Sequence, residues 1–345
     1  MTEAAIRDDM DMDSVSAYIS RETLAWIEPL WRKEREEALE LTSANSALNM
    51  FSNSSDEEDS EDGWDSGTME SRSITISGVH VHYVCDISAS GHGNEVWCAS
   101  VALCQYIEKI ATEQDLLHKR EKLRCLELGA GAAIPSLFLG NYISQQLHVN
   151  LPILVHITDL QRFHNIKPIL LAVGKQPDDV RQKIEFKVSP HYWGTGVGTS
   201  IQSNTDELDS SFLENECGGS NMYDVILVSD CIYDPTYHQE LLNSICATLR
   251  KPNHQDGKVD DRGGRVIVTF SIHGNVPEEN VWEFFRKATD KGLIWKEAPQ
   301  NSEGNQEGRS GRHMEQSMRD LGIFLSNMDP KRWIVHVYEL NWPVD

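Results

Sequence analysis

The first regular spacing of apolar positions lies between Ser14 and Leu41, where Leu24, Ile27, Leu30, Trp31 and Leu39 recur at helical intervals. It predicts an accessory helix that Pro29 should kink or split. Ser52–Asp62, SNSSDEEDSED, offers no apolar residue to bury and predicts a disordered acidic linker over roughly residues 51–72. It reads first as a solvated spacer and second as a regulatory tail whose serines accept phosphate. Alternation then sets in at Ser73, with Ile74, Ile76, Val79, Val81 and Tyr83 around a Ser77-Gly78 turn, which predicts a hairpin ending at Asp86.

Glu95–Ile110 reads as an apolar helix, and beyond Lys122 strand and helix patterns alternate. The predicted strands are Leu123–Leu128, Ile153–Thr158, Ile184–Val188, Asp224–Ser229 and Arg265–Phe270. The predicted helices between them are Ile134–Gln145, Phe163–Val173, Tyr237–Arg250 and Pro277–Lys291. That order implies an α/β fold, a mostly parallel sheet with helices on both faces. Trp333–Trp342 alternates again as a late, antiparallel strand, and Gly194–Asn221 and Pro299–Gly311 read as surface insertions. The expected organisation is an accessory segment over residues 1–50, the linker, and one domain over residues 73–345 that opens with the hairpin.

A chain of 345 residues with 39% hydrophobic content can build a sizeable core, which excludes a wholly disordered protein. Its 31 Lys and Arg against 54 Asp and Glu leave a net charge of −23, which repels phosphate backbones and disfavours direct nucleic-acid binding. No apolar run approaches the roughly 20 residues of a membrane span, and the acidic start lacks the order of a signal peptide. A soluble monomer of the cytoplasm, with the nucleus as a second compartment, is expected. The seven cysteines are odd in number and form no CxxC pair, so reduced thiols are expected and no metal site.

In such a sheet, ligands bind beyond the carboxyl ends of the strands. After the first strand, Glu127-Leu128-Gly129-Ala130-Gly131-Ala132-Ala133-Ile134-Pro135 is a small-residue turn entering a helix, suited either to a ligand or to plain packing. Ile134 stands where the dinucleotide fingerprint wants glycine, and no Gly-Lys-Ser/Thr is present, so NAD and ATP lose ground. Asp159 follows the second strand, as a partner for a ribose diol or as a helix cap. Tyr192-Trp193-Gly194 follows the third, where the aromatics either face an adenine ring or close the core. Ser229-Asp230-Cys231-Ile232-Tyr233-Asp234 follows the fourth. There Asp230 and Tyr233 suit an amine, with Asp234 and Pro235 available to cap the next helix. His273 after the fifth reads as a base, a substrate contact or a structural histidine.

Together the Glu127–Gly131 turn, Asp159, Trp193, the Asp230-Cys231-Ile232-Tyr233 quartet and Val96-Trp97 resemble methyltransferase family 16. These are seven-β-strand, S-adenosylmethionine-dependent protein lysine methyltransferases with a DxxY motif, and the resemblance covers Glu95 to Asp345. Phe270-Ser271-Ile272-His273 followed by Glu283-Phe284-Phe285 is similar to the nicotinamide N-methyltransferase-like branch, which includes the elongation factor 1-alpha N-terminal and lysine methyltransferase. The resemblance implies a Rossmann-like, seven-stranded class I methyltransferase sheet. It implies that Trp97, Glu127, Gly129, Ala130, Gly131, Asp159, Trp193 and Ser229 bind the cofactor, that Asp230 and Tyr233 are catalytic, and that His273 meets the substrate. Ala133 departs from the family, many members of which carry glycine there. The acceptor expected, from the resemblance and from the acidic surface, is a lysine-bearing protein that is basic or translation-related. A small-molecule N-methyltransferase with a nicotinamide-like acceptor and a non-catalytic interaction module on the same fold are the alternatives.

Overall fold

The computed structural model describes residues 16–19, 21, 23–34, 36, 69–86, 95–113, 116–117, 120–147, 151–194, 223–255, 258–261, 263–273, 276–298, 311–323 and 330–344. The acidic stretch Ser52–Asp62 and nearly all of the two insertions lie outside these residues.

The hairpin forms from β1 (Met69–Ile76) and β2 (Val79–Asp86), so the first strand begins four residues before the expected Ser73, inside the stretch assigned to the linker. Ser77 and Gly78 turn it with φ of 50° and 78°, the doubly positive pattern that matches strand twist. A helix over residues 23–34, α1, runs through Pro29 without the split its sequence predicted. Ile27 and Trp31 lie fully inside the core on either side of the proline, and that packing outweighs the lost backbone bond.

The main sheet is built from β3 (Leu123–Leu128), β4 (Ile153–Asp159), β5 (Ile184–Pro190), β6 (Val225–Ser229), β9 (Arg265–Ser271), β10 (Ile294–Glu297) and β12 (Ile334–Asn341), in the order β10-β12-β9-β6-β3-β4-β5. β12 runs antiparallel to both neighbours, as expected of the late strand, and the two-residue β11 (Arg312–His313) pairs with it as an eighth. A separate hairpin joins β7 (Asn253–Gln255) to β8 (Lys258–Asp261).

Neighbouring residues of β6 bury in opposite directions. Val225 and Leu227 join one core, together with α2 (Cys98–Thr112), α3 (Ile134–Gln146) and α4 (Phe163–Gly174). Ile226 and Val228 join the other, with α6 (His238–Thr248) and α7 (Glu278–Asp290). Among the described residues there are also the short helices α5 (Asp178–Lys183) and α8 (Glu315–Asp320). Two-sided burial explains the continuous apolar runs read as strands. Every residue of α3 from Ile134 to Ser144 is buried because β2 covers its outer side, so it shows no amphipathic stripe.

Chain order reverses beside β3, with β4 on one side and β6 on the other. The crevice that an α/β sheet offers a ligand therefore opens between the carboxyl ends of β3 and β6, at Leu128 and Ser229.

Candidate active site

On the β3 side the glycine turn takes left-handed backbone at Gly129, Gly131 and Ala133, with φ of 70°, 53° and 55°. Ala133 adopts this conformation without being glycine, at the position just before α3. Ala130 donates its N–H to Thr158 O at 3.0 Å, and Gly131 donates to Asp159 Oδ2 at 2.7 Å, which ties the turn to the end of β4. At Gly129 a Cβ would stand 2.9 Å from Cys231 Sγ and 3.0 Å from Trp193 Cζ2. The residue is small because the wall of the crevice presses against it.

Asp159 holds both carboxylate oxygens in place. Oδ1 accepts from Leu160 N–H at 2.7 Å and from the Asn165 amide at 2.6 Å. Burial pushes its pKa up, and the bonds from Gly131, Asn165 and Leu160 pull it back. It caps no helix, since Arg162 occupies the cap position of α4. Glu127 lies buried under the turn, with Oε2 accepting from Ser136 N–H at 3.2 Å and Oε1 lacking a hydrogen-bond partner among the described residues. Burial raises its pKa to about 8.

Trp193 is half-buried over Gly129 and meets Tyr237 edge-on, ring centroids 6.4 Å apart. Its loop is anchored from α6, where Ser244 Oγ pairs with His191 Nε2 at 3.0 Å and accepts from Gly194 N–H at 2.9 Å. Neither Ser244, His191 nor Asn165 figured in the reading of the sequence. Asn165 alone left a signal, a short polar side chain in the first turn of the helix after Asp159.

At the end of β6 the middle two residues of the quartet are buried and the outer two are not. Cys231 and Ile232 point into the core, with Cys231 Sγ 3.3 Å from Leu128 O and burial pushing its thiol well above the ordinary range. Asp230 follows the strand with its side chain 10% exposed, whereas Tyr233 is an exposed large side chain at 41%. Burial of its hydroxyl still raises the phenol's pKa. Asp234, not Asp230, caps the following turn by accepting Thr236 N–H at 2.9 Å.

Asp230 sits at φ 54° and donates its N–H to Thr269 O at 2.7 Å. Its Oδ1 accepts from Ser271 N–H at 3.2 Å, and His273 Nε2 lies 3.1 Å from both carboxylate oxygens. The His273 ring stands 5.7 Å from Tyr233 and 6.2 Å from Trp97, over whose ring the Arg332 guanidinium lies at 5.7 Å. Two groups thus emerge: Gly129, Ala130, Gly131, Asp159 and Trp193 on one side, and Asp230, Tyr233, His273 and Trp97 on the other. Cys231 and Ser229 join them. Trp97, expected over the cofactor, packs against His273 on the second side.

A family described as lysine methyltransferase matches residues 83–259. The protein N-terminal and lysine N-methyltransferase EFM7 of Candida albicans is 24% identical over 204 residues, which cover 57% of this chain and 64% of that protein. Its counterpart from Debaryomyces hansenii is 27% identical over 199 residues with the same two coverages. The chain spans less than two thirds of the length of these relatives. Because the family match extends over just over half of the 345 residues, and its span contains the glycine turn, Asp159, Trp193 and the DxxY quartet, the chain belongs to the lysine methyltransferase family.

Proposed function

We propose that this chain transfers a methyl group from S-adenosylmethionine to an amine of a protein, in the first place a lysine side chain of a basic or translation-related protein. The observation that carries the proposal is one juxtaposition. The Asp230 carboxylate is held at the rim in left-handed backbone, and the next residue, Cys231, touches the glycine turn that Asp159 ties down. The names of the relatives, protein N-terminal and lysine N-methyltransferases, support the acceptor class.

The residues fit the cofactor. Asp159 presents a fixed carboxylate whose Oδ2 keeps a lone pair for a ribose hydroxyl, Trp193 presents a ring for adenine where it covers Gly129, and Ala130, Gly131 and Ser229 stand alongside, with Glu127 beneath. S-adenosylmethionine supplies an electrophilic methyl carbon on a sulfonium sulfur. The work left to the chain is to place an uncharged amine in line with that carbon, at a near-attack separation. A lysine with a reference pKa of about 10.4 needs roughly 4 to 5 kcal/mol to lose its proton at pH 7. Desolvation beside the Tyr233 and Trp97 rings reduces that cost. A carboxylate is too weak a base to match that proton, so Asp230 attracts and orients the cation while Tyr233 aligns it. The net charge of −23 favours a basic acceptor. The cytoplasm, and secondly the nucleus, is the compartment proposed, with a monomer that contacts neither nucleic acid nor membrane directly; fractionation and gel filtration test this.

Incubating the protein with tritiated S-adenosylmethionine and cell lysate tests the activity, with mass spectrometry of the labelled species and Asp230→Ala as control. Label in a protein band that the variant fails to produce is expected. Label in the low-mass fraction alone would replace the reading with a small-molecule methyltransferase, and no label in either would replace it with an interaction module.

A further inference from the structure

We infer that His273 is a positioning residue that holds the Asp230 carboxylate in the plane from which it meets the amine, an inference that rests on the methyl-transfer reading above. Asp230 carries a cost that must be met elsewhere, since a residue with a side chain at φ 54° gives up about 1 kcal/mol or more. Two backbone bonds to β9 hold its main chain and one oxygen: Asp230 N–H to Thr269 O, and Ser271 N–H to Oδ1. The Ser271 bond reaches only Oδ1, and His273 Nε2 adds the second hold, standing 3.1 Å from each oxygen so that a single N–H is shared across the group.

The ring that supplies this donor is itself held. Tyr233 and Trp97 flank it, and its side chain is only 12% exposed. With Nε2 committed to Asp230, that nitrogen is not offered to a substrate. The imidazole N–H orders the carboxylate through a planar ring with one donor directed at it, where a lysine or arginine at position 273 would add a fixed positive charge. The arrangement joins the first residue of the quartet to its last through a side chain from the segment just after β9.

The test measures kcat, KM for the labelled acceptor protein, and S-adenosylmethionine affinity by titration, in the full chain and in His273→Ala, His273→Phe and His273→Gln. Phenylalanine keeps the ring without the N–H, and glutamine keeps an N–H donor without the ring. Alanine and phenylalanine should each lower kcat by ten- to a hundredfold, with cofactor affinity within twofold of the wild type, and glutamine should restore most of the rate. Unchanged kcat in the phenylalanine variant would overturn the inference, as would a glutamine variant no faster than phenylalanine, or a loss that appears in cofactor affinity instead. Asp230→Ala measured alongside separates the two levels. If it turns over normally, the methyl-transfer reading fails; if it is inactive while His273→Phe is normal, only the positioning role fails.

Discussion

Asp230 and Ala133 share an unusual state, positive φ in a residue with a side chain, and they differ in what that state brings. At Asp230 it aims a carboxylate at the rim, where strain is characteristic of functional positions. At Ala133 it lets the chain enter α3, and the methyl group is fully buried in the core. Ala133→Gly should therefore change stability by less than about 0.5 kcal/mol, the relief of left-handed strain being offset by the lost burial of a methyl and by the entropy glycine adds to the unfolded chain. Urea denaturation checks this, and a change larger than about 1 kcal/mol in either direction would contradict it. Glu127 gives a pH-dependent counterpart. Its folded pKa, about 8, lies above the ordinary 4.5, so its contribution to stability is full below the unfolded value and is lost as pH rises through about 8. Glu127→Gln keeps an acceptor for Ser136 and removes the proton. Thermal denaturation from about pH 5 to 9 should show the wild type losing stability relative to the variant, and parallel curves would refute the assignment. At this scale the sequence made the strand-end residues visible because their chemistry is unusual there. It concealed Ser244, His191 and Asn165, whose roles depend on neighbours distant in the chain or on a helix start.

Elements were legible wherever one period dominated. The five parallel strands and the helices between them follow from buried runs of the right length, with ends shifted by a residue or two. The boundaries that moved have local causes. Trp97 serves as the cap of α2, so the helix starts at Cys98 and not at Glu95, and Pro235–Tyr237 forms a separate turn before α6. β10 was hidden because all four of its residues are exposed at the sheet edge and no alternation marks it. The hydrophobic half of the fold is concentrated in pairs such as Phe284 and Phe285 on α7, both fully buried. Phe285 packs against Phe270, Trp295 and Tyr338, with ring centroids 5.8, 5.2 and 4.8 Å away. Phe285→Ala should cost about 3 to 5 kcal/mol, read from the urea midpoint by circular dichroism, whereas a loss below about 1 kcal/mol would mean that the cluster collapses around the gap.

For the molecule as a whole, the crevice follows from topology and the proposed partner from charge. The reversal of chain order at β3 sets where a nucleoside fits, and no single motif encodes it. The excess of acidic residues, 54 against 31, should draw a basic acceptor over distances that salt screens. Raising ionic strength from about 0.05 to 0.5 M should lower kcat/KM for the acceptor and leave cofactor affinity almost unchanged; an acceptor term insensitive to salt would contradict electrostatic recruitment. The claim on which the rest depends is that the turn at Gly129–Gly131 and Asp159 receive S-adenosylmethionine while Asp230 serves the other reactant. Isothermal titration of S-adenosylmethionine into the wild type, Asp159→Ala, Trp193→Ala and Asp230→Ala tests it most directly. Saturable binding by the wild type and Asp230→Ala, weakened at least tenfold in the other two, is the predicted result, and absence of wild-type binding at millimolar cofactor would contradict the account.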